Sequence, residues 1–269
     1  MPDIKNIPYL LKLLEDDSPS VQRSVFKELL RFGPHLENGL AALPTPPSSH
    51  QHQRLQKVFE ELARYQLKEA WVSWLDEKEE MEKLEKALTL LAKFQDRKAK
   101  KLSFLLDELS NDYLKHYDKR DASLLAQYLF GPGRLEGAKE DYYDPKNSNL
   151  VYVIETKRGL PISLACIFML TGKRLYLTIG GYNFPQHFFA WIVAGDQKVL
   201  VDCFNSGQLI EEKWFLDKVA HGLTLKNLHD MNADATMIVG RVLRNLVVAY
   251  DKTGQKENSA LMKDLIKAI

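Results

Sequence analysis

The chain has 269 residues, 45% hydrophobic and 27% charged, enough apolar material for one large domain or two small ones. Its 37 basic residues are balanced by 36 acidic ones, and a formal charge of +1 leaves no electrostatic footprint for nucleic acid or an anionic membrane. Two cysteines, Cys166 and Cys203, cannot form a cysteine-only zinc site; the opening MPDIKNIPYLLKLLEDD lacks signal-peptide character, and no run reaches the roughly 18 residues of a membrane span, which points to a soluble, cytoplasmic protein.

In chain order, the first 130 residues read as helices. Ile7, Leu10, Leu11 and Leu14 recur at helical spacing, and after DDSPS so do Val21, Val25, Phe26, Leu29 and Leu30. Ser18 is the expected cap, Pro19 opens the second helix and Gly33-Pro34 closes it. This pair resembles a single HEAT repeat, although any helical hairpin with an apolar face has the same pattern. Residues 34–52, with LPTPPSSHQHQ inside, read as a loop in which His50 and His52 are solvated. Three more amphipathic helices follow, on Leu55-Val58-Phe59-Leu62, Met81-Leu84-Leu88-Leu91 and Leu102-Leu105-Leu109-Tyr113, with charge clusters on their solvated faces.

The pattern changes after the connector GPGRLEGAKEDYYDPKNS. NLVYVIETK predicts a short helix, and PISLACIFMLTGK a second that is apolar on nearly every side and therefore buried. YLTIGGY, HFFAWIVA and KVLVDCF predict three antiparallel strands packed on it. A hairpin turn centred between Ala194 and Gly195 puts His187 opposite Asp202; a turn centred on Gly195-Asp196 puts Asp202 opposite Phe189, still on the face of His187. Either register allows a carboxylate to orient an imidazole, as in catalytic triads, or simply to satisfy it in the core. His116, His221 and His229 stand alone, and no metal-ligand spacing joins them.

DYYDPKNSNLVYVIETKRGLPISLACIFMLTGKRL, then NFPQHFFAWI, then LVDCFNSGQLI, resembles the core of the SirB family of bacterial transglutaminase-like proteins, whose fold is related to papain-type cysteine proteases. The resemblance covers roughly residues 80 to 269. It rests on a combination of motifs in order, which is more specific than any one of them. RVLRNLVVAYDKTGQKENSALMKDLIKAI resembles the tetratricopeptide-like helical pair that follows that core, with Leu243, Leu246, Val247 and Tyr250 facing Ala260, Leu261 and Leu265.

The resemblance implies an α+β fold with a mostly helical N-terminal half, a buried helix on a small antiparallel sheet, and a C-terminal helical pair. The expected regions are 1–79, 80–235 and 236–269. It also makes His187 and Asp202 the histidine and aspartate of the triad. Where the family places cysteine at the start of the central helix, this chain has Gly159-Leu160-Pro161-Ile162-Ser163, and matching the glycine puts Pro161 at the nucleophile position. Ser163 is a substitute nucleophile or a packing serine; Cys166 lies a turn further in among apolar neighbours; Cys203 points to the face away from Asp202. Tyr142, Tyr143, Asn147 and Asn205 are candidate cleft residues; turn and capping duties explain Asn147 equally well, and Asn205 reads first as a turn residue after the Asp202 strand.

Two functions remain open. One is a non-catalytic module binding a protein or peptide, without cofactor, metal, nucleic acid or membrane. The other is an amide or ester hydrolase or acyl transferase using Ser163, His187 and Asp202. The missing cysteine favours the first.

Overall fold

Apolar residues at helical spacing build the N-terminal part of the chain. The computed structural model describes residues 2–220 and 222–269, so His221 lies outside the described residues. The chain divides into two compact units, residues 1–69 and 70–269.

In the first unit, α1 (Ile7–Leu13), α2 (Pro19–Arg31), α3 (His35–Ala41) and α4 (Ser49–Ala70) enclose Ile7, Leu11, Val25, Leu29, Leu36 and Leu55. Each such side chain, fully buried, contributes roughly 1.5 to 3 kcal/mol. α1 and α3 approach so closely that a Cβ on Gly39 would sit 2.2 Å from Ile7 Cδ1. The expected loop over 34–52 therefore contains a helix and the start of another, because Leu36 has the α1 face to bury against and Ser48 caps α4 by accepting from the Gln51 N–H at 3.1 Å. His50 and His52 lie exposed on the first turn of α4. Ser18 occupies the expected cap position of α2, but its hydroxyl makes no capping bond and pairs instead with Ser20 at 2.9 Å.

The second unit is built around α9 (Pro161–Arg174), buried without interruption from Pro161 to Gly172, as its all-round apolar sequence requires. α5 (Glu80–Gln95), α6 (Leu102–His116), α7 (Ala122–Phe130) and α8 (Leu150–Thr156) pack against it. Arg174, in its last turn, is clamped by Glu85 at 2.9 Å and by Asp107 at 2.5 Å.

On α9 lies a four-stranded antiparallel sheet in the order β3 (Ile179–Tyr182), β4 (Phe189–Ala194), β5 (Gln197–Asp202), β6 (Gln208–Glu211). The fold is α+β. Three of the strands are those expected. β6 is four residues with no buried position, so it carried no alternation to read. A further two-residue parallel ladder joins β1 (Glu136–Gly137) to β2 (Arg158–Gly159), where the α8 expectation ran one residue too far: Lys157 takes φ +64° and ends the helix.

The β4–β5 hairpin adopts the second register considered, with Ala194 opposite Gln197 and Gly195 at φ +62° in the first central turn position. α10 (Glu212–Lys218) and α11 (Leu225–Asp230) cover the sheet face carrying Tyr182, Phe189 and Leu200. The chain ends in α12 (Ala235–Lys252) and α13 (Lys256–Lys267), which pack together. Leu243, Leu246, Tyr250, Leu261 and Leu265 are buried as expected, whereas Ala260 is exposed and Met262 takes the inward position. No helix among the described residues is long and apolar enough to cross a membrane.

Candidate functional site

His187 does not lie in a strand. Asn183-Phe184-Pro185-Gln186-His187 turns back on itself, the His187 N–H donating to the Phe184 carbonyl at 3.2 Å. Pro185 sets the first central position, and Gln186 takes φ +63° at the second, where a type II turn favours glycine. A non-glycine residue held in this region, immediately before a candidate functional side chain, is local strain at a site.

The turn delivers His187 Nε2 to 3.0 Å from Asp202 Oδ1. Beyond β5 the chain wraps this carboxylate. The Asn205 backbone N–H donates to Oδ1 at 3.2 Å, the Asn205 side chain donates to Oδ2 at 2.8 Å, and the Gly207 N–H closes the loop onto the Asp202 carbonyl at 2.9 Å. Ser206 at φ +59° and Gly207 at φ +68° make the bend. Burial by itself pushes the Asp202 carboxyl up, but hydrogen bonds from His187 and Asn205, with the imidazole's charge, outweigh it and hold the group below the usual carboxylate range.

Side-chain alternation places the neighbours. Phe188 packs over Gly181 beside Met169 of α9, whereas Phe189 joins Phe184 and Phe215 on the opposite face. The His187 ring lies 4.4 Å from the Phe189 ring and 6.5 Å from that of Phe204. Phe204 in turn meets Tyr142 at 6.4 Å, and Tyr142 meets Tyr143 at 5.3 Å. An aromatic surface thus runs from the two half-exposed tyrosines to the imidazole, which keeps 22% of its side chain accessible.

Ser163 is placed differently. It is buried, and its hydroxyl donates to the Asn147 carbonyl at 2.8 Å. Among the described residues no hydrogen bond joins it to His187. Asn147 ties the region together, since its side chain donates to the carbonyls of Asp141, at 2.8 Å, and Tyr142. Asn147 also lines a cleft of about 450 Å³, and Asn205 with Phe204 lines a neighbouring one of about 350 Å³. Both cysteines are fully buried. Burial pushes the Cys166 thiol up to about 12, and burial together with the Asp202 charge pushes Cys203 up as well.

Several participants were not read from the sequence. Phe204 had no periodic signal, and Gly137 approaches its ring only because β1 lies beside it. Arg241, on α12, donates from Nη1 to Asn183 Oδ1 and to the Phe184 carbonyl at 2.8 Å, bracing the His187 turn. His229 does not stand alone: its Nε2 lies 3.1 Å from Glu212, which also accepts from the Tyr182 hydroxyl at 2.9 Å. His116 likewise contacts the Asp112 carbonyl through Nδ1 at 2.8 Å. Among the described residues no group of three or more histidine, cysteine or acidic side chains is arranged to hold a metal ion.

A family profile described as the transglutaminase-like superfamily matches residues 96–244, which take in the buried helix, the sheet, His187 and Asp202. The chain belongs to the transglutaminase-like superfamily. The matched segment of this transglutaminase-like protein contains every candidate site residue. The chain is similar to a UPF0162 protein of Xylella fastidiosa, 32% identical over 52% of this chain and 52% of the relative. It is also similar to a UPF0162 protein of Vibrio cholerae, 26% identical over 40% of this chain and 41% of the relative. F-box only protein 21 of Mus musculus is 26% identical over 51% of this chain and 23% of its own length. The similarity thus spans about half the length of the bacterial relatives or less. No solved structure matches the chain.

Proposed function

We propose that this transglutaminase-like protein is a peptide- or protein-binding module in which the triad's histidine and aspartate persist without a nucleophile. The observation that carries the reading is the Ser163 hydroxyl, buried and donating to the Asn147 carbonyl, while the His187 imidazole faces Asp202 and remains partly open. A nucleophile needs its proton within reach of a base, and the hydrogen-bonded partner of Ser163 is a carbonyl in the core. The buried, raised-pKa thiols of Cys166 and Cys203 support the same reading. Tyr142, Phe204 and Asn205 supply apolar area and hydrogen bonding beside the imidazole, the combination that peptide grooves use. Tyr143 extends that surface.

Selection of phage-displayed peptides on the full chain tests this. Enriched peptides should bind wild type at least tenfold tighter than Tyr142→Ala or Asn205→Ala, with folding checked by circular dichroism. Peptides that bind all three proteins equally would place the contact surface elsewhere.

A second reading draws on the same His187–Asp202 hydrogen bond, whose geometry suits a general base with its orienting carboxylate. It makes Ser163 the nucleophile of an amide or ester hydrolase or acyl transferase. That reading requires a fluorophosphonate to label wild type and to spare Ser163→Ala.

A further inference from the structure

Among the described residues Arg241 is the one cationic side chain bonded directly to the turn that carries His187, and its bonding is incomplete. Both of its hydrogen bonds leave from Nη1 and end on neutral oxygens, Asn183 Oδ1 and the Phe184 carbonyl. Its guanidinium carbon lies 5.9 Å from the centre of the Phe188 ring. Among the described residues no carboxylate pairs with it, and neither Nε nor Nη2 finds an acceptor. The groups that face it electrically are Arg244, one helical turn on, which repels it, and the Tyr142 hydroxyl. Burial and the Arg244 charge both disfavour its charged form, so the half-buried guanidinium lacks a compensating anion.

We infer that Arg241, supported by Arg244, binds a carboxylate of the peptide seated beside His187. The inference rests on the peptide-binding reading above and names the chemistry of what is bound. Nε and Nη2 form the side-on edge of a guanidinium, whose two parallel N–H bonds match the two oxygens of a carboxylate. Nη1 is already anchored to the Asn183 side-chain oxygen and the Phe184 backbone carbonyl, so this edge is fixed in orientation before any ligand arrives. Tyr142, which interacts electrostatically with Arg241, meets Phe204, itself in ring contact with His187. Lys252 stands over the Tyr143 ring at 4.0 Å and adds a third cation along the same aromatic surface. The carboxylate comes either from an acidic side chain or from a peptide C-terminus; both present the same pair of oxygens.

Three synthetic hexapeptide pools separate these sources: one amidated with a fixed glutamate, one amidated with glutamine in its place, and one with glutamine and a free C-terminus. Each is titrated into the full chain while the arginine Nε–Hε and histidine ring signals are followed by NMR. The expected result is that one carboxylate pool moves Arg241 and His187 together and binds about tenfold tighter than the neutral pool. That advantage disappears in Arg241→Gln and shrinks in Arg244→Gln, whose exposed side chain makes none of the turn hydrogen bonds and keeps the test independent of any loosening there. The carboxylate pool that holds the advantage identifies the source. If all three pools move His187 equally, the peptide cleft stands and the carboxylate site falls. A carboxylate pool that moves Arg241 and leaves His187 still would separate the Arg241 contact from the surface beside His187 and overturn the inference. If no pool moves either residue, both readings fall together.

Discussion

His187 Nε2 and Asp202 Oδ1 stand 3.0 Å apart across the open end of the β4–β5 hairpin, one residue donated by a turn and the other by the last position of a strand. The carboxylate is buried and, among the described residues, its three hydrogen bonds come from His187 and Asn205. The pair therefore locks the turn to the loop.

Because the folded carboxyl is held below its unfolded value of about 3.9, its contribution to stability is fully present above that value and is lost as pH falls through the folded pKa. Asp202→Asn should cost about 1.5 to 3 kcal/mol at neutral pH, and the difference from wild type should narrow below about pH 4. Urea unfolding at a series of pH values measures it. A difference that stays constant down to pH 3 would show that the charge of Asp202 is not what stabilises the loop.

Gln186 pays backbone strain at φ +63° to aim His187. Gln186→Gly should be neutral or stabilise by up to about 1 kcal/mol, whereas the β-branched Gln186→Val should destabilise by about 1 to 2 kcal/mol. Thermal unfolding of the two variants checks the sign, and similar losses for both would mean that the Gln186 side chain matters more than its backbone.

A Cβ added at Gly137 would lie 2.6 Å from the Phe204 ring. Gly137→Ala should therefore cost about 1 to 3 kcal/mol through overpacking and displace Phe204 from its contacts with His187 and Tyr142. Chemical-shift changes at the His187 ring, measured in the folded variant, report the displacement. An unchanged His187 signal would uncouple β1 from the site.

Cys166 and Cys203 are buried with their thiols pushed up, so neither offers a thiolate near neutral pH. Ellman's reagent should leave the native protein unmodified over an hour and label both cysteines in guanidinium. Rapid labelling of the native state would reveal an accessible thiol.

Much of this was legible in the sequence. The all-round apolar run from Pro161 marked the buried helix, and HFFAWIVA and KVLVDCF marked two paired strands, whereas His187, which a turn aims at Asp202, was read as strand. What escaped were relationships created by folding. Arg241 lies 54 or more residues from everything in the turn except through α12 packing, and no local pattern connects it to Asn183, 58 residues earlier. Glu212 and His229 meet because two short helices fold back over the sheet. Ser163 sat at the expected helix start, but only the structure supplies the carbonyl that takes its proton.

The most direct measurement follows the His187 ring signals of the full chain during titration with a random hexapeptide pool, with the peptide masses read at the end. Binding without chemistry predicts a saturable shift of His187 and peptides recovered at their original mass. Cleaved or acyl-transferred peptides, or a His187 signal that never moves, would contradict the account.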